Sequence, residues 1–237
     1  MTPPSTPSYA GHRFPPEVIS HAIWLYFRFP LGLGMVEEML AARGITVSHE
    51  TVRQWGRKFG QAFANQIRCR LPSAGDKWHL DEVAIAIAGK KHWLWRAVDQ
   101  DGFVLDVLVQ RRRDQRAAKR LLRKLLKRQG RAPRVMITDK LASYSAAKRE
   151  MMPGVEHRRH KGLNNRAENS HQPTRRRERQ MKRFKSPGLA QRFLSAHDQV
   201  SNLFHLRRDH VTATQYRVSR TQSLAIWAEI TGADAAA

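Results

Sequence analysis

Three carboxylates, Asp81, Asp139 and Glu168, are placed along the chain as a divalent-metal site for phosphoryl transfer needs them. Hard cations such as Mg2+ take anionic oxygen ligands, and a phosphodiester reaction uses two such ions, one at the attacking oxygen and one at the leaving oxygen. Taken singly, each residue has a plainer reading. An aspartate at a strand end is most often a turn residue or a helix cap. A glutamate in the first turn of a helix is usually a surface acid favoured by the helix dipole. The three acquire meaning only through the elements that bring them to one point.

Those elements are legible in the pattern. Residues 78–88 carry Asp81, Val83, Ile85 and Ile87 with period two, the mark of a half-buried strand. A second strand is expected at 93–99, and Asp101-Gly102 turns the chain into a third at 103–110, giving an antiparallel meander. A helix follows at 115–129, with Ala118, Leu121, Leu122, Leu125 and Leu126 as its apolar stripe and Gly130 as its stop. Residues 134–139 read as a short buried parallel strand closed by Asp139. A helix at 144–151, a fifth strand at 155–159 and a long polar helix from about residue 165, with Glu168 in its first turns, complete the series. The order β-β-β-α-β-α-β-α is that of an α/β, ribonuclease H-like core: a mixed five-stranded sheet with helices. In that fold the fourth strand lies beside the first, so Asp81 and Asp139 become neighbours.

Ahead of this core, residues 14–63 read as three short helices. Pro15 and Pro16 open the first, a second spans 35–43 and ends at Gly44, and Ser48 is a fair N-cap for a third reaching about residue 59. In the third, Val52, Trp55 and Phe59 face inward while Arg53, Gln54, Arg57 and Lys58 face outward, the pattern of a helix-turn-helix DNA reader. The expected organisation is a flexible N-terminus at 1–13, a helix-turn-helix module at 14–70, a catalytic core at 76–185, and C-terminal helices at 186–237 packing on that core, the last a short one at 224–230. Leu71-Pro72-Ser73-Ala74-Gly75 marks the first boundary.

Composition narrows the partner. The chain has 237 residues and a formal net charge of +23, which calls for a polyanion, and nucleic acid gains affinity from such charge by counterion release. The surplus is concentrated: residues 111–134 hold twelve Lys/Arg and one acid, Asp114, and residues 158–192 hold twelve more with only Glu168 and Glu178. No apolar run is long enough for a bilayer crossing and no signal-peptide pattern opens the chain, so a cytoplasmic, nucleoid-associated location is expected. The single cysteine, Cys69, excludes a disulfide framework. His157 and His160 have zinc-like spacing without further ligands to support it. Glu82 faces away from Asp81 and reads as structural, and Asp99 and Asp106 are expected at turns or on the exposed face.

The segments Trp78-His-Leu-Asp81-Glu82, Trp95-Arg96-Ala-Val-Asp99, Thr138-Asp139-Lys140 and Leu163-Asn-Asn-Arg-Ala-Glu168-Asn-Ser-His171 resemble those of a bacterial insertion-sequence DDE transposase, of the group named for insertion sequence six. The likeness runs from about residue 14 to residue 208. It implies that Asp81, Asp139 and Glu168 are the catalytic triad and ligands of two Mg2+ ions, with Mn2+ as a substitute. It also implies that Arg175 is the basic residue following the glutamate, set by two helical turns on the same face as Glu168, that the helix-turn-helix reads terminal inverted repeats, and that a homodimer or larger assembly joins element ends to target DNA. The interval from Asp139 to Glu168, 168 − 139 = 29 positions, is shorter than in many relatives, which leaves Glu178 as a competing third ligand. Two other functions fit the residues: a nuclease of the same fold that cuts without joining, and a non-enzymatic basic DNA-binding regulator.

Overall fold

The computed structural model describes residues 7–206 and 211–233, which form two units: one of residues up to Leu71 together with Ser195 onward, the other Pro72–Leu194. The ends of the expected N-terminal and C-terminal segments, residue 208 among them, lie outside the described residues.

The first unit is helical. Helix α1 (Pro16–Arg28) starts with proline where no hydrogen bond is lost, and buries Ile19, Ala22, Ile23 and Phe27. Helix α2 (Leu33–Ala41) is followed by Gly44 at φ 75°, a left-handed turn. Helix α3 (His49–Arg70) begins as expected at Ser48, whose side chain accepts from the Thr51 backbone N–H. Replacing Ser48 with alanine is expected to cost this unit about 1 kcal/mol, read as a lowered denaturation midpoint with the α3 backbone otherwise intact. The helix continues eleven residues beyond the expected end near Phe59, because Phe63, Ala64 and Ile67 prolong its buried face. Two expectations are corrected here. The N-terminal segment is anchored at Tyr9: its hydroxyl donates to the Thr231 carbonyl at 2.6 Å and its ring packs on Phe59, 4.9 Å between centroids. The last helix is far longer than the short one expected at 224–230, and it joins these helices instead of the catalytic core. Its Trp227 meets Phe63 edge-on at 5.4 Å, and Glu229 takes an ion pair from Arg70 at 2.7 Å.

The second unit is built on a sheet of order β3-β2-β1-β4-β5. Strands β1 (Lys77–Ile87), β2 (Lys90–Asp99) and β3 (Val104–Gln110) form the antiparallel meander. Strand β4 (Val135–Thr138) runs parallel to β1, and β5 (Glu156–Arg159) runs parallel to β4. This is the ribonuclease H-like topology expected. On one face, helices α4 (Gln115–Gln129) and α5 (Ala142–Met151) cover Trp78, Leu80, Trp95 and Met136 with Leu121, Leu122, Leu125 and Tyr144. Asp114 caps α4 by accepting from the Ala117 N–H at 2.9 Å. Asp106, expected at a turn or an exposed face, is instead buried beneath α4, where Lys124 and Arg128 pair with it.

On the other face the expected long polar helix is two short ones, α6 (Asn165–Ser170) and α7 (Gln172–Gln180), hinged at His171. Pro173 has no N–H to give Asn169, so the turn tightens there. Helix α8 (Pro187–Leu203) leaves this unit: its Phe193 packs under Arg177, whereas residues from Ser195 on belong with the first unit. That unit is completed by α9 (Ala213–Thr231), whose start is a capping box of Thr212 and Gln215.

Candidate active site

The parallel register sets the first two carboxylates side by side. Lys77 pairs with Val135 and Leu80 with Thr138, so the next step along both strands is Asp81 and Asp139. Adjacent strands lie about 4.8 Å apart, so the two acids share one sheet end. Their mutual repulsion is visible in the acidity of Asp81. Burial and then the Asp139 charge push its carboxyl up to about 6, only partly offset by the Glu82 backbone and Arg113. A carboxylate pair held this close without a lysine between its members is a fit for a hard divalent cation, which relieves the repulsion that the protein leaves in place.

Each acid is held by its surroundings. One Asp139 oxygen accepts from the Leu141 N–H at 2.9 Å. The other lies 3.6 Å from the Arg113 guanidinium. Arg113 is itself anchored, donating to Glu82 at 2.7 Å and lying 5.0 Å over the Trp93 ring. The Glu82 side chain is wholly buried, beside Tyr144, and burial raises its carboxyl to about 7 against the pull of Arg113. Asp81 is approached from the opposite face by His171, with Nε2 at 3.3 Å from its carboxylate. Arg113 and His171 were not singled out by sequence reasoning. One sat in a basic run and the other at the end of a polar segment, and neither position shows in one dimension that it ends at an aspartate.

The third carboxylate is placed differently. Asn164 is buried and donates to the Leu80 carbonyl at 2.8 Å, pinning the start of α6 to the strand one residue before Asp81. Glu168 then lies one turn before His171, yet its side chain is exposed. Among the described residues no three His, Cys, Asp or Glu side chains converge as a metal cluster. The structure thus brings Asp81 and Asp139 together and leaves Glu168 on the neighbouring helix. Glu178, the competing candidate for third ligand, accepts from the Ala86 N–H at 2.9 Å, far along β1 from Asp81. Arg175 lies beyond the hinge, exposed, with Nη1 3.8 Å from Glu178, so a continuous helix does not align it with Glu168. His157 bonds the Thr138 hydroxyl at 2.9 Å and is a structural residue of the β4–β5 pair.

A family model described as a DDE domain matches residues 75–207. The chain is 31% identical over 164 residues to the Staphylococcus aureus transposase for insertion sequence element IS257 in transposon Tn4003, covering 67% of this chain and 73% of that protein. The identity and coverage are the same for the S. aureus transposase for insertion sequence-like element IS431mec. The chain belongs to the insertion-sequence-six family of DDE transposases. As such it is a polynucleotidyl transferase that cuts and joins DNA strands, and its family carries divalent-metal dependence.

Among solved structures, the transposase is similar to the HTLV-2 integrase catalytic core domain in complex with magnesium, at 15% identity and a TM-score of 0.41, over 62% of this chain and 97% of that one. A chain of the simian T-cell lymphotropic virus intasome in complex with PP2A regulatory subunit B56 gamma matches at 14% identity and a TM-score of 0.41, over 61% of this chain and 53% of that one.

In the helical unit, Arg53 donates to Glu50 at 2.7 Å and Gln54 to the same carboxylate at 3.2 Å. Lys58 lies 2.8 Å from His12 Nε2. Arg57 is exposed, with no bond or ion pair among the described residues. No described helix is long and apolar enough to cross a membrane.

Proposed function

We propose that Asp81 and Asp139 hold two Mg2+ ions, that Glu168 completes the site once DNA and metal are bound, and that the chain cleaves insertion-sequence ends and transfers them to target DNA. The observation that carries this reading is the parallel β1–β4 register, which makes Asp81 and Asp139 neighbours at one sheet end. When bound, the ions supply charge stabilisation at the phosphate and a water of lowered pKa. Asp81 and Asp139 would hold those ions at the sheet end they share, and the scissile phosphodiester would bind there. In cleavage a water oxygen bonds to phosphorus and gives up a proton, the bond to the 3′ oxygen breaks, and that oxygen takes one. In joining, the freed 3′-hydroxyl bonds to a target phosphorus and loses its proton, and the target's own 3′ oxygen departs with one.

Arg175 is assigned to a phosphate of the bound strand, which it would reach by leaving Glu178, its neighbour beyond the hinge. Arg175→Gln is expected to lower strand transfer by about tenfold or more while changing duplex affinity less than threefold or so. Equal losses in both would remove it from the site. Arg53, Gln54, Arg57 and Lys58 are assigned to reading the terminal inverted repeats, and holding two ends together calls for a homodimer or larger assembly. Glu50, which now holds Arg53 and Gln54, would release them to DNA.

Protons and metal compete for Asp81. Its carboxyl titrates near 6 without metal, so the Mg2+ concentration for half-maximal activity is expected to rise as pH falls through that value, approaching about tenfold per unit below it. A requirement for Mg2+ that stays flat from pH ~8 to pH ~5 would contradict this. The test of the function is strand transfer with purified protein, labelled element ends, a plasmid target and Mg2+. Joined products establish the transposase reaction, cut but unjoined ends establish a nuclease, and binding alone establishes a regulator.

A further inference from the structure

The cations of α4 are sorted by what they touch. Lys119 pairs with Glu150 across to α5, and Lys124 and Arg128 pair with the buried Asp106 of β3. These flank the apolar stripe and tie the helix down. Arg116, Arg120, Arg123 and Lys127 recur at spacings of four, three and four, which lines them up on the ridge opposite that stripe, and all four are exposed. Arg120 donates to the neutral Gln110 side chain at 2.8 Å. The other three have no bond or ion pair among the described residues. No Asp or Glu occurs from Gln115 to Gln129, so nothing on the helix offsets this charge. A solvated surface ordinarily mixes both signs.

The ridge also has a direction. Arg113, one residue before the α4 cap Asp114, lies 3.6 Å from the Asp139 carboxylate. The helix therefore starts at the carboxylate pair and carries its cations away from it over about 16 Å, eleven steps of about 1.5 Å. A duplex strand presents one phosphate per about 3.4 Å of axis, so the ridge spans about five base-pair steps of duplex.

We propose that Arg116, Arg120, Arg123 and Lys127 form a docking ridge for the phosphate backbone of duplex DNA, aligned so that the strand it holds runs to Asp139. The ridge reads charge and not sequence, so it serves target or flanking DNA of any sequence. This rests on DNA being the substrate of the proposed reaction. The ridge is nevertheless tested by binding alone, without metal or cleavage.

The experiment measures affinity of the full chain for a random-sequence duplex in EDTA across a salt series, for wild type and the R116A/R120A/R123A/K127A variant. The slope of log affinity against log salt is expected to become shallower by about 3 to 4, and affinity to fall alike on all sequences. Should the fourfold variant fail to fold, the four single variants are each expected to reduce the slope by about 1. An unchanged slope overturns the proposal. An unchanged slope with a reduced oligomer mass assigns the ridge to a second copy and overturns it equally. Strand transfer by wild type is run beside these. Its absence with the slope change present defeats the reaction and leaves the ridge standing.

Discussion

Asp81→Asn and Asp139→Asn are each expected to reduce cleavage and strand transfer by about a thousandfold or more, leaving duplex affinity within a few-fold of wild type. The reasoning is chemical. An amide offers a neutral oxygen where a hard cation needs an anion, so the reaction loses its charge stabilisation while the DNA-binding surfaces keep theirs. The same substitution at Asp81 carries a second, opposite signature in the metal-free protein. The folded state raises this carboxyl from 3.8 to about 6, because it is buried beside Asp139. Below about pH 4 the group is neutral whether folded or not, and it adds no cost. Through the window up to about 6 the unfolded chain loses its proton first, so folding stability falls as pH rises, and above it the full cost is present. Asp81→Asn is therefore expected to raise metal-free stability at neutral pH by about 1–3 kcal/mol. Thermal melts at neutral and acid pH check this, and the gain should vanish toward pH 4. A variant that loses both activity and stability at neutral pH would show Asp81 to be structural.

Arg96→Met is expected to have the second largest effect, destabilising the second unit by about 2–4 kcal/mol and cutting strand transfer well over tenfold. Arg96 is almost wholly buried, on β2 directly opposite Asp81 in the antiparallel register. Its guanidinium donates to the Ser170 carbonyl, at the end of α6, and to the Thr174 hydroxyl of α7 at 2.6 Å. One side chain thus holds both halves of the hinged helix against the strand that bears Asp81. Methionine fills the volume but leaves those acceptors unmet inside the protein. Chemical denaturation checks the stability loss. The activity loss should persist at temperatures where the variant is fully folded, because α6 carries Glu168. An Arg96→Met protein of wild-type stability and activity would contradict the positioning role.

The parts of this architecture that were legible in sequence are those governed by short-range pattern. The strand of Asp81 alternates with period two, α4 has an apolar stripe and a glycine stop, and Asp139 ends a short apolar run. From their order the topology followed, and with it the Asp81–Asp139 pair. What escaped reading depends on contacts between distant residues. The first three turns of α9 are mostly exposed and polar, so only the part around Trp227 signalled a helix. Its attachment to α3 through Phe63, instead of to the catalytic core, has no signature in either segment alone. Arg113 looked like one more cation in a basic run, because its distinction is the buried Glu82 across the sheet end. The hinge at His171 had a local signal in Pro173, and it changes where Glu168 and Arg175 stand relative to each other.

That hinge decides whether Glu168 can join Asp81 and Asp139 on a metal-bound phosphodiester. The most direct measurement is a crystal structure of the protein bound to an element end with Mn2+, using anomalous scattering to find the ions. The ions are expected about 2.0–2.2 Å from oxygens of Asp81 and Asp139, with Arg113 still on Glu82 and the Glu168 carboxylate turned in from solvent to the same ions. Ions bound elsewhere, or an Asp81–Asp139 pair left without metal while DNA lies against it, would contradict this arrangement.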